Sequence, residues 1–66
     1  LTTTDQRRAA RRIDYIHLMM LRMPYKTARW FLHQELAEAE YAYFETGSQF
    51  ELEVVKQLES IIQGAP

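Results

Sequence analysis

From Ala9 onward the apolar positions recur every three or four residues. Stepped at about 100° per residue, Ala9, Ala10, Ile13, Ile16, His17, Met20, Leu21 and Met23 gather on one broad side of a helix. Arg7, Arg8, Arg11, Arg12 and Arg22 gather on the other, with Tyr15, Leu18 and Met19 among them. Thr3 and Gln6 have capping-box spacing, and Pro24 disfavours helical geometry in the residue before it, so a first helix is predicted over about 5–23.

A second helix opens at Pro24 and runs over about 25–46. Its apolar residues make two stripes. Tyr25, Ala28, Phe31, Leu32, Leu36, Ala39, Ala42 and Tyr43 share a wide arc, while Trp30, Ala37, Tyr41 and Phe44 share a narrower one on nearly the opposite side. Gly47 suits the left-handed position after a helix, and Ser48 with Glu51 has the spacing of a capping box, predicting a third helix over about 49–63. The alternation in FELEVV is the one strand-like feature. The continued helical spacing of Phe50, Val54, Leu58 and Ile61, flanked by Val55 and Ile62, overrides it.

The expected fold is all-α, a compact three-helix bundle with helix 2 central, forming a single domain over 1–66 with frayed tails at 1–4 and 64–66. A helix with apolar residues on opposite sides is covered on both. Helices 1 and 3 of the same chain can cover the wide arc, which leaves Trp30, Ala37, Tyr41 and Phe44, with Met19 of helix 1, as candidate partner-binding residues. The competing arrangement is a monomer in which helix 1 covers one side of helix 2 and helix 3 the other.

Size sharpens this expectation. A chain of 66 residues buries only about 60% of its unfolded surface, and without Cys it has no disulfide to add stability. Association with a second copy is the support that remains. Charge points the same way: residues 1–29 carry seven Arg and Lys against two Asp, a net +5, and residues 30–66 carry Lys56 against seven Glu, a net −6. Two such halves attract each other, within one chain or between two antiparallel copies. The Arg row, with Arg8, Arg11 and Arg12 as a second candidate surface, calls for acidic groups opposite it, because like charges four residues apart on a helix repel.

Candidate chemistry is sparse. RMPYKTARWF, residues 22–31, places Lys26, Thr27 and Arg29 early in helix 2, where a helix-turn-helix protein makes base and phosphate contacts. DNA binding by a transcriptional regulator is therefore the alternative reading, although Arg22, Met23 and Pro24 replace the usual small turn residue and the pI of about 6.1 is low for it. Asp14 and His17 form a single Asp-x-x-His, short of a metal set, and His17 is expected as a satisfied, partly buried histidine. The Met19, Met20 and Met23 cluster suits core filling or an adaptable groove. No nucleophile, phosphate loop or metalloprotease element stands out, so no enzyme activity, cofactor, metal or small-molecule substrate is expected. No apolar run reaches the ~20 residues of a membrane span, and no signal-type segment follows Arg7-Arg8, which predicts a soluble, cytoplasmic protein without membrane partners.

ELAEAEYAYF, with TTTD near the start, resembles at scattered positions the Hha group of small helical modulators, but lacks that group's segment after the aromatic pair. The resemblance implies a chain that acts by contacting a regulator. Residue pattern and size together predict a small non-enzymatic regulatory, adaptor or inhibitor protein, of the kind that phages and plasmids encode. It would act by protein–protein binding to itself as a homodimer, to another protein, or to both.

Overall fold

Thr3 sets the start of the first helix. Its hydroxyl accepts from the Gln6 amide at 3.1 Å, and the Gln6 side chain accepts from the Thr3 amide at 2.8 Å, so two amides that a helix start leaves unpaired are satisfied reciprocally. The computed structural model describes residues 3–64. They form α1 (Thr4–Met20), α2 (Tyr25–Thr46) and α3 (Gln49–Gly64), an all-α three-helix bundle of about 32 × 26 × 20 Å. The tails expected at 1–4 and 64–66 lie partly outside the described residues. Within them, Thr3 and Thr4 belong to the capped start of α1, and Gly64 closes α3.

α1 stops short of the expected Met23. The amides of Arg22 and Met23 reach back only three residues, to the carbonyls of Met19 and Met20 at 3.1 and 3.0 Å. This tightening is what Pro24 imposes, since Met23 cannot stay helical ahead of it. Pro24 itself caps α2 in an extended conformation, and its carbonyl accepts from the Ala28 amide at 2.9 Å.

α2 ends as its glycine predicts. Gly47 adopts φ 65°, and its amide donates to the Tyr43 carbonyl at 2.7 Å. The Thr46 hydroxyl donates to the Ala42 carbonyl and accepts from the Ser48 amide at 3.1 Å. The Ser48–Glu51 capping box is a correction: among the described residues Ser48 contributes through its backbone, its carbonyl accepting from the Leu52 amide at 3.1 Å. Gly47→Ala is expected to cost about 1 kcal/mol in urea unfolding, and Gly47→Asn less. A Cβ there meets no atom within 4 Å, so the whole effect is the left-handed backbone.

Ala9, Ile13 and Ile16 from α1, Leu32 and Ala39 from α2, and Val54, Val55 and Leu58 from α3 form the core. α2 touches both other helices, as expected of it, yet α3 makes the more extensive contact with each of its neighbours. The reason is visible in α3 itself. Glu53, Val54 and Val55 are consecutive and all buried, an arc of about 200° that one neighbour alone does not cover. α3 is wedged between α1 and α2.

Candidate protein-binding surface

The wide arc of α2 supplies that helix's share of the core through Ala28, Leu32 and Ala39, with Phe31, Leu36 and Ala42 half-buried. On the opposite side Trp30 is 63% exposed, Tyr41 69% and Phe44 91%. Gln34 and Ala37 lie between them and are also exposed. Residues 30, 34, 37, 41 and 44 alternate steps of four and three, the spacing of a coiled-coil seam, and run for about 21 Å along the helix. Ala37 gives this stripe a low centre between bulky ends. Met19 is half-buried on α1 and is not part of it.

Charge along one edge of the stripe is graded. Lys26, His33 and Glu40 are exposed and follow one another at seven-residue intervals, which keeps them on one flank. This flank is cationic at the start of α2 and anionic toward its end.

The Arg row is largely engaged within the chain. Arg12 pairs with Glu35 of α2 at 3.6 Å, across a small hollow of about 190 Å³ that Glu38 and Glu51 also line. Arg8 stands 4.0 Å from Asp5, and its guanidinium lies 4.7 Å from the centre of the Phe50 ring. Acidic and aromatic groups thus stand opposite Arg8 and Arg12. Of the expected secondary surface, Arg11 alone is exposed without an ion-pair partner among the described residues.

Lys26, Thr27 and Arg29 are all exposed at the start of α2, and Arg29 leans toward the Tyr25 ring at 5.9 Å. His17 corrects its expectation. It is exposed, because α1 contributes only Ala9, Ile13 and Ile16 to the buried arc and His17 falls past its edge. Ala10 and Leu21 are exposed as well, Leu21 at 82%. No three His, Asp or Glu side chains come together in a metal-binding group among the described residues.

Glu53 was not distinguishable from the solvated glutamates by its sequence spacing. It is 9% exposed, accepts from the Gln49 side-chain amide at 3.3 Å and lies 3.6 Å from the Lys56 ammonium. Its partners are both on α3, so its charge is met without drawing on another helix. No described helix is long and apolar enough to cross a membrane. Comparison of the chain with protein-family models, with curated proteins and with solved structures gave no match.

Proposed function

We propose that this chain is a small non-enzymatic regulatory, adaptor or inhibitor protein that works by binding protein through the outward side of α2, and that a second copy of itself is the first occupant of that side. The observation carrying this reading is the seam-spaced stripe of exposed aromatics, Trp30, Tyr41 and Phe44, around the small Ala37. Large exposed aromatics on one face are costly for a solitary soluble domain and common at the centre of interfaces.

Orientation follows from the graded flank: two copies of α2 packed antiparallel about Ala37 bring His33 of one opposite Glu40 of the other.

Sedimentation equilibrium over a concentration series tests the reading. The expected mass is twice 7.9 kDa, falling toward the single chain on dilution. A single-chain mass at every concentration up to the millimolar range removes self-association.

A further inference from the structure

The turn between α1 and α2 opens a groove that the seam does not use. Its lining is His17, Met20, Leu21, Met23, Tyr25 and Ala28, around a volume of about 610 Å³. A second hollow of about 280 Å³ adjoins it, sharing Met20 and Tyr25, and adds Arg29 and His33 to the margin. Leu21 and Tyr25 are 82% and 73% exposed, so these two apolar side chains have little cover among the described residues.

The charge around it has one sign. From Tyr15 to Gln34 there is no carboxylate in twenty consecutive residues, and none lines either hollow. None of the three ion pairs among the described residues involves Arg22, Lys26 or Arg29. Arg8, Arg12 and Lys56 each meet a carboxylate within the chain, whereas the stretch beside this groove supplies none, so its cations are free to meet acid on a ligand.

We infer that this groove binds an acidic amphipathic helix of another protein. Its apolar side chains, spaced at i, i+3 or i+4, and i+7, would enter between Met20, Leu21, Met23 and Tyr25, and its Glu or Asp residues would face Arg22, Lys26 and Arg29. An all-α fold offers no sheet edge to which an extended peptide could add a strand, so the helix-in-groove mode is the one available. The flexible Met20 and Met23 side chains let the floor adapt to the incoming residues. The apolar floor also separates this ligand from a nucleic acid, whose phosphates would gain nothing from Leu21, Met20 or Met23.

The experiment is a selection of displayed random peptides of about 18 residues, five helical turns, on the immobilised 66-residue chain. Counter-selection uses the Leu21→Glu/Arg29→Glu variant. Both positions are exposed, and circular dichroism checks that the variant stays helical. Enriched peptides are expected to be net acidic with apolar residues at helical spacing, and the leading one to bind the variant about tenfold or more weakly. In the complex, the methyl signals of Met20 and Met23 shift, and Trp30→Ala/Tyr41→Ala still binds, which separates this site from the α2 seam. The inference is overturned by a failure to enrich peptides over the counter-selection, or by enriched peptides without acidic charge. It is overturned equally if poly-glutamate or a labelled DNA duplex of matched charge binds as tightly as the peptide, or if binding is lost with the seam variant.

Discussion

Leu58→Ala is expected to cost the folded chain about 3–5 kcal/mol. Leu58 and Ile16 are the two large side chains with no exposed surface, and Leu58 sits on the helix that both others pack against. Truncating a fully buried Leu costs about 3–5 kcal/mol through lost transfer energy and the cavity left behind. A domain of this length has only about 3–10 kcal/mol in all, so the substitution removes a third of the stability at the least. Leu18→Ala is the matched control: Leu18 is 61% exposed, and its loss should stay within about 0.5 kcal/mol. Urea unfolding at several protein concentrations reads both, because association raises apparent stability by mass action. Equal effects of the two substitutions would place the core elsewhere.

Trp30→Ala combined with Tyr41→Ala is expected to return the sedimenting species to a single chain while helical content stays largely unchanged. Both rings are mostly outside the folded core, so the cost falls on association. At about 1 kcal/mol for each of the four rings that the two chains lose, the dimer weakens about a thousandfold. Unchanged assembly in this variant would remove the α2 seam as the site of contact. Orientation has its own test. His33→Glu and Glu40→Lys should each weaken the dimer, and the double swap should restore it, because these two positions face each other across an antiparallel seam centred on Ala37. A parallel dimer would show no such rescue.

The helix order was legible because punctuation is unambiguous in this chain. Thr3 with Gln6 caps α1, Pro24 opens α2, and Gly47 takes the left-handed position its place predicts. The two-sided character of α2 was legible as well, since Trp30, Tyr41 and Phe44 fall half a turn away from Leu32 and Ala39. What periodicity did not resolve was how wide each buried arc is. For α1 it is narrow, so His17 and Leu21 fall outside it. For α3 it is wide enough to take in Glu53. The apolar doublets Val54-Val55 and Ile61-Ile62 are the trace of that width, since a helix touching one neighbour needs no second apolar residue beside the first.

The candidate surfaces divide in the same manner. The α2 seam lies on one continuous helix and follows from residue spacing. The groove at Met20, Leu21, Met23 and Tyr25 is built across a turn, where the tightening ahead of Pro24 ends the 3.6-residue period. Met20, Leu21 and Met23 fall on one predicted side of helix 1, but no helical face carries Tyr25 and Ala28 beside them, so the groove as a whole could not be read from spacing.

The wedge position of α3 also fixes when the protein can fold. α1 and α2 meet each other sparsely, and most of what they bury is buried against α3. Of the three helices, α3 is the last to be synthesised. The two helices made first therefore have little core to close on until Val54, Val55 and Leu58 join them, so the chain gains its stability as one unit with α3 and not helix by helix.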